Sequence, residues 1–262
     1  MNIVKPSIHQ FVAGFASGDA ISQAALAVRD LARGMGAESE IFVPSDCIAP
    51  DMRSLVHPLE AFPGSDLLIH HYSIASPLDE AFHRSTGRKV IYYHNITPDG
   101  YFIPYAPTLA IQLREARKRL PVLLTEADAV WAVSEFNAAE LRAAGAPRTS
   151  VFPLIFDPDR LAFHPTATRP DPSLISRDMT NILFVGRLAP NKCVEDLILA
   201  FAWYQMRFNE RSRLILIGSD RTVPAYFAML RMLAHKLELC NVIFQRFVPA
   251  ESLSAWYDAA SL

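Results

Sequence analysis

Arg187 and Lys192 stand behind the run Asn181-Ile182-Leu183-Phe184-Val185-Gly186, and their spacing can deliver two cations to one place. Ile182 to Val185 is apolar with β-branched and aromatic members, which suits a strand covered on both faces. Gly186 at its end can take the unusual backbone angles of a strand-to-loop turn, which puts Arg187 at the strand tip. From Cys193 onward Leu197, Ile198, Phe201 and Ala202 recur at helical spacing, so Lys192 falls at or just before the first turn of a helix. A helix start offers free amide donors that favour an anion, and two neighbouring cations add to that field. Arginine supplies a planar fork for phosphate oxygens and lysine a point charge. Such a group could hold a diphosphate. A surface Arg and Lys in an ordinary strand-loop-helix connection have the same spacing, and spacing alone does not separate the two readings.

His94 is the second candidate. It follows the run Val90 to Tyr93 and is expected at the carboxyl end of a sheet, where open α/β folds bind ligands. Asn95, Thr97 and Asp99 lie near it, and Pro98 and Gly100 shape the loop. A histidine after a strand also serves as a structural hydrogen-bonding group. His70 and His71 end another strand and are read as structural residues. Gly14, Gly18 and Asp19 precede a helix. Gly18 would let the backbone approach a ligand, whereas Asp19 satisfies the helix-start amides itself and would repel a phosphate. Capping alone explains Gly18 and Asp19 equally well.

The elements that must position these groups alternate between strand-like and helix-like runs, which argues for parallel sheets built from βαβ units. In the first half the spacing predicts strands at Ile3 to Ile8, Ser39 to Val43, Leu67 to Tyr72, Val90 to Tyr93, Ala129 to Val133 and Val151 to Ile155. Its clearest helix is Ala20 to Arg33, where Ile21, Ala24, Ala25, Val28, Leu31 and Ala32 make one stripe and Gly34 and Gly36 supply the stop. The segment Thr108 to Leu120 carries Arg114, Arg117, Lys118 and Arg119 on a polar face that could rest on an anionic membrane; a solvated face is the simpler reading. Ser134 and Asn137 suit the start of a further helix.

Between Asp157 and Thr180 periodicity gives way to Pro158, Pro165, Pro170 and Pro172, the best linker in the chain. It separates a first domain, residues 1–160, from a second, residues 175–262. After it strands are predicted at Ile182 to Val185, Leu214 to Ile217 and Val242 to Phe244, and helices near Val194 to Arg207, Pro224 to Leu239 and Ala250 to Ala260. Three strands make a half-built open sheet.

Composition bounds the function classes. The chain has 262 residues, 51% of them hydrophobic, enough for a substantial core. A net charge of −2 leaves no basic footprint for nucleic acid, so none is expected as a partner. The opening residues lack the pattern of a secretory signal, and no apolar run approaches the ~20 residues of a membrane span. The cytoplasm is the expected compartment, with the inner membrane surface as a peripheral option. Cys47, Cys193 and Cys240 are too few and too dispersed for a zinc site or disulfide framework. Asp157-Pro158-Asp159 has the letters of a metal-binding Asp-x-Asp but opens the linker without supporting chemistry. No dinucleotide fingerprint, nucleophile elbow or phosphate-loop lysine occurs.

Val185-Gly186-Arg187 with Lys192, followed by Glu195-Asp196-Leu197-Ile198 and Ala200-Phe201, resembles the donor-site motif of glycosyltransferase family 4, the retaining nucleotide-sugar enzymes of GT-B architecture. Ile91-Tyr92-Tyr93-His94-Asn95-Ile96-Thr97-Pro98, then Ser134-Glu135-Phe136-Asn137 with Glu140-Leu141, then Leu214-Ile215-Leu216-Ile217-Gly218 are similar to that family's blocks in the same order. The resemblance implies an α/β, GT-B-like fold: a Rossmann-like first domain on the acceptor side and an incomplete second Rossmann-like domain. It implies transfer of a sugar from a nucleoside diphosphate to an acceptor hydroxyl with retention, the acceptor being a sugar, lipid or polysaccharide.

In that reading Arg187 and Lys192 stabilise the leaving diphosphate without a metal or other cofactor, and His94 donates a hydrogen bond to a sugar hydroxyl. Gly186 borders the donor, and Arg246, Phe247 and Val248 flank the base. Gly18 borders a neutral sugar or the acceptor, and Cys193 stands where the family often has glycine. The family's Glu-rich donor loop normally follows the segment resembled by Leu253 to Ala260, and no Glu-x7-Glu pattern follows Lys192 here. The expectation is a chain truncated before that loop, either a transferase that continues further or an inactive relative that binds nucleotide sugars weakly or serves in interactions.

Overall fold

The computed structural model describes residues 5–146, 148–155, 170–171, 174–175, 178–219, 222–246 and 248–262. They fall into two units: Met1–Asp99 with Thr108–Phe156, and Gly100–Pro107 with Asp157–Leu262.

Short apolar runs separated by amphipathic helices give the first unit parallel strands only, because each βαβ crossover returns the chain in the same direction. Its strands are β1 (Ile8–Val12), β2 (Ile41–Val43), β3 (His57–Pro58), β4 (Leu67–Tyr72), β5 (Arg88–Tyr93), β6 (Ala129–Ala132) and β7 (Thr149–Val151). Its helices are α1 (Ala20–Gly34), α2 (Leu78–Arg84), α3 (Pro107–Glu126) and α4 (Glu135–Ala143). The strand order is β3-β2-β1-β4-β5-β6-β7, every neighbouring pair parallel. The order reverses between β1 and β4, so the carboxyl ends of these two strands flank the topological switch point at which open α/β sheets bind ligands.

Alternation along the strands sorts the two faces. Val12, Ile41 and Val43 pack with Ala25 of α1, and Ile69, Val90 and Tyr92 pack with Val28 of the same helix. The opposite face is aromatic: Phe11, Phe42 and Phe62 meet edge to face, and His70 lies against Phe82 of α2. There the Tyr72 hydroxyl donates to the Ala116 carbonyl of α3 at 2.8 Å.

The second unit has β8 (Thr180–Val185), α5 (Val194–Arg207), β9 (Ser212–Ile217), α6 (Pro224–Lys236), β10 (Val242–Gln245) and α7 (Ala250–Ala259). Its sheet is parallel, in the order β10-β9-β8. Ile215 and Ile217 of the central strand pack with Ile175 and Trp256. Along the free edge of β8, Leu183 donates its amide to the Leu262 carbonyl at 2.8 Å.

The strand spacing expected at Ile3 to Ile8 is misplaced: β1 begins at Ile8 and runs through His9 and Gln10, and Ile3 and Val4 lie outside the described residues. Two polar residues interrupt the apolar pattern there, but both are buried and hydrogen-bonded. The last strand of this unit sits earlier than expected, at Thr149–Val151. Helix α3 does not stop before Pro121 but continues to Glu126: the lost amide bond and the ring's crowding of the preceding turn disfavour a proline there, and burial of Leu123 and Leu124 holds the following turn. Leu31, placed on the buried stripe of α1, is 53% exposed. The linker expected between Asp157 and Thr180, with the Asp157-Pro158-Asp159 letters, lies mostly outside the described residues.

The cations of α3 are engaged within the unit. Arg114 pairs with Asp99, Arg117 with Glu140, Lys118 with Glu115 and Arg119 with Asp79. This weakens the field that face could offer an anionic membrane. Among the described residues no helix is long and apolar enough to cross a membrane.

Candidate functional site

Two clusters stand at the carboxyl ends of the two sheets, one in each unit. In the first, register puts Val12 beside His71 and His71 beside Tyr92. Side chains alternate, so Gln10 shares a face with Val12, and His94, just past β5, follows Tyr92 on that same face. The result is a continuous polar chain through an apolar layer. Gln10 Nε2 donates to the Ala25 carbonyl at 3.0 Å, Gln10 Oε1 lies 2.9 Å from His71 Nε2, and His71 Nδ1 lies 2.9 Å from His94 Nε2. The two imidazole planes are within 9° of each other with centroids 5.0 Å apart, the edge-to-edge arrangement of an in-plane N–H···N bond. Tyr92 closes the other side of His94, ring centroids 4.3 Å apart.

Burial decides the charge of this pair. Desolvation pushes His94 from 6.5 down to about 3. His71 is held well below 6.5, first by desolvation and then by His94 and His70. Both rings are neutral near pH 7. His94 keeps some exposure as a residue, yet its Nδ1 is buried and has no hydrogen-bond partner among the described residues.

The loop beyond His94 is clamped rather than loose. The His94 amide still donates to the Tyr72 carbonyl at 2.9 Å, and Asn95 takes a left-handed conformation at φ 71° that turns the chain out of the sheet. The Ile96 amide donates to the Tyr93 hydroxyl at 3.1 Å, which donates to Glu140 at 2.9 Å. Arg117 bridges Glu140 and the Ile96 carbonyl. At the neighbouring strand end Asp19 caps α1, its carboxylate accepting from the Ser22 amide at 2.9 Å. Gly18 has φ 74° and open space around it, so its backbone angle rather than a close approach calls for glycine.

In the second unit Val185, Ile217 and Gln245 share one level of the ladder, so Gly186, Gly218 and Arg246 stand together at the next. Gly218 is the residue whose importance the sequence understated. A Cβ there would sit 1.9 Å from the Gly186 carbonyl oxygen, so only glycine lets the tips of β8 and β9 close. Gly186 is not among the left-handed residues, contrary to the expectation of unusual angles. It is confined by space instead, 3.2 Å separating a would-be Cβ from the Phe184 ring. Cys193 takes the strained turn, with φ 48° and ψ 45°.

Arg187 follows Gly186 and is exposed; Leu188 and Ala189 are buried, Pro190–Lys192 forms a single 3-10 turn, and Lys192 is exposed. Among the described residues neither cation has an ion-pair partner. The free helix-start amides expected after Lys192 are not all free: the Val194 amide donates to the Tyr226 hydroxyl at 2.9 Å, and that hydroxyl donates to Glu195. The field available to an anion therefore comes mainly from the cations. Arg246 is exposed, its guanidinium 5.5 Å from the centroid of the Phe227 ring. Val248 packs on the core, and Phe247 lies outside the described residues. Among the described residues no three His, Cys, Asp or Glu side chains converge to hold a metal ion.

The family model of glycosyl transferases group 1 matches residues 168–262, the part of the chain that carries the second cluster. No curated protein sequence is significantly similar. Among solved structures, sucrose-phosphate synthase from Thermosynechococcus elongatus is 18% identical, covering 98% of this chain and 74% of its own with a TM-score of 0.65. HepE of Anabaena, in complex with UDP-glucose, is 19% identical over 97% of this chain and 72% of its own, TM-score 0.66. An α-glucosyltransferase in complex with UDP-glucose and DNA containing an abasic site is 17% identical over 95% of this chain and 70% of its own, TM-score 0.59. At these identities the likeness establishes the α/β GT-B fold.

Proposed function

We propose that the protein binds a nucleoside-diphosphate sugar at the carboxyl end of the second unit's sheet and transfers the sugar to an acceptor hydroxyl with retention of configuration. The observation that carries this reading is the pair of cations Arg187 and Lys192, without an ion-pair partner among the described residues, beside a strand tip stripped of side chains at Gly186 and Gly218. Support comes from the family match over that same region and from two GT-B neighbours that hold UDP-glucose. As the acceptor oxygen bonds the anomeric carbon, the glycosidic oxygen leaves with its electron pair on the diphosphate and the hydroxyl proton is released. Fixed guanidinium and ammonium groups stabilise that growing charge with no reorganisation at the moment of bond breaking. The acceptor is a sugar, lipid or polysaccharide, and the cytoplasm remains the compartment of this reading.

Calorimetry with UDP-, GDP- and ADP-linked glucose and mannose tests the donor site. Arg187→Ala is expected to weaken the best donor by about tenfold or more, the worth of a charge-assisted hydrogen bond, and to slow transfer by about 100-fold. Equal binding by both proteins would remove the assignment.

A further inference from the structure

The chain of bonds running from α1 to His94 admits only one arrangement of hydrogens. The Ala25 carbonyl can only accept, so the Gln10 amide must turn its NH2 toward it, with the bond at 3.0 Å, and its oxygen toward His71. An amide oxygen can only accept, so the hydrogen of the contact at 2.9 Å sits on His71 Nε2. A neutral imidazole carries one hydrogen, which leaves His71 Nδ1 as a bare acceptor and requires the hydrogen of the next contact, also 2.9 Å, to come from His94 Nε2. His94 Nδ1 is then a lone pair, buried and without a partner among the described residues. A buried polar atom left unsatisfied is costly, and this one lies beside the topological switch point of the sheet.

We infer that Gln10 and His71 are positioning residues that lock His94 in the Nε2–H tautomer, so that its Nδ1 accepts a hydrogen bond from a ligand hydroxyl rather than donating one. This reverses the donor role implied for His94 by the family resemblance. It also gives the site a chemical preference: a ligand group that carries its own hydrogen, such as a sugar hydroxyl, satisfies Nδ1, whereas a phosphate oxygen or carboxylate would face it lone pair to lone pair. Neutrality of both rings, which burial enforces, is what keeps the relay in this sense. Identifying the ligand as a sugar rests on the proposed function; the tautomer does not.

The test is long-range 1H–15N correlation spectroscopy of the histidine rings in the full chain near pH 7.5, with and without saturating glucose. In the free wild type His94 is expected to show a protonated Nε2 and a pyridine-type Nδ1. In Gln10→Met, which removes the acceptor that orders the relay, His71 and His94 are expected to populate both tautomers. With glucose the Nδ1 resonance is expected to shift in the direction of an accepted hydrogen bond while Nε2 keeps its hydrogen. A hydrogen on His94 Nδ1 in the wild type overturns the inference, and so does an unchanged tautomer in folded Gln10→Met. The wild-type spectrum decides the tautomer even where the variant does not fold. Failure of UDP-glucose to bind in the calorimetry, with His94 protonated at Nε2, tells against the proposed function and supports the relay.

Discussion

Acidification should destabilise the first unit well before its carboxylates are protonated, because burial lowers the pKa of His94, His71 and His9 in it. His94 has its folded pKa lowered from 6.5 to about 3 by desolvation. A proton therefore binds the unfolded chain far more readily than the folded one between these values. The stability that a neutral His94 contributes is fully present above pH 6.5 and is lost progressively as pH falls below it, levelling off only near pH 3. At pH 5 the unfolded histidine is about 30-fold more protonated than neutral while the folded one is still neutral, which corresponds to about 2 kcal/mol. His71, lowered in the same direction by the same desolvation, adds to the loss.

Carboxylates held low by their hydrogen bonds, such as Asp66 on Ser7 and Asp99 on Arg114, act in the same sense, but only below about pH 4, where their unfolded forms begin to protonate. The window from pH 8 to 5 is thus read mainly through histidine. Urea titration followed by Trp131 fluorescence reports on this unit, since Trp131 packs on Phe152 at 5.1 Å and Tyr92 at 5.9 Å; Trp203 and Trp256 are replaced by Phe to silence the other unit. The expected fall is at least about 2 kcal/mol from pH 8 to pH 5, smaller by about 2 kcal/mol in His94→Phe. A flat profile, or an equal fall in the variant, would refute the argument that burial holds His94 neutral.

Two further outcomes test the second unit. Gly218→Ala places a methyl 1.9 Å from the Gly186 carbonyl oxygen, and because backbone cannot yield as a side chain tip can, a loss of about 3 kcal/mol is expected in urea denaturation, together with loss of UDP-glucose binding. Full retention of both would show that the two strand tips do not close as described. Cys193→Gly relieves a left-handed residue at φ 48° worth about 1–2 kcal/mol and gives back about 0.5–1 kcal/mol through the freer unfolded chain, so a small net stabilisation is expected by the same titration. A destabilised variant would mean that the thiol packing outweighs the backbone strain.

The fold was legible wherever the apolar period was unbroken. Leu67–Tyr72 and Val194–Arg207 fall where the spacing places them, and the alternation of elements suffices for parallel sheets. The first strand was misplaced because His9 and Gln10 break the pattern, and the reason they can be buried is the partners they meet from elsewhere in the chain. His71, read as structural because no motif accompanies it, likewise meets partners from elsewhere in the chain, Gln10 and His94. A signal was available: consecutive polar side chains inside a strand destined for burial on both faces must be satisfied by something, and a buried polar network near a strand end is where ligand chemistry collects.

What the sequence determined by itself is what depends on near neighbours: strand and helix periods, the glycine at a strand end, the short interval that sets Arg187 and Lys192 on one loop, and the capping of α1 by Asp19. What only the tertiary structure decided is what depends on residues far apart in the chain. Gln10, His71 and His94 form one relay because parallel pairing of β1, β4 and β5 aligns their ends, and Gly218 must be glycine because the Gly186 carbonyl leans over it. The physical reason is range: local pattern reports the torsions and the face a residue takes, whereas tautomer, charge state and steric exclusion are set by atoms that folding brings within about 3 Å.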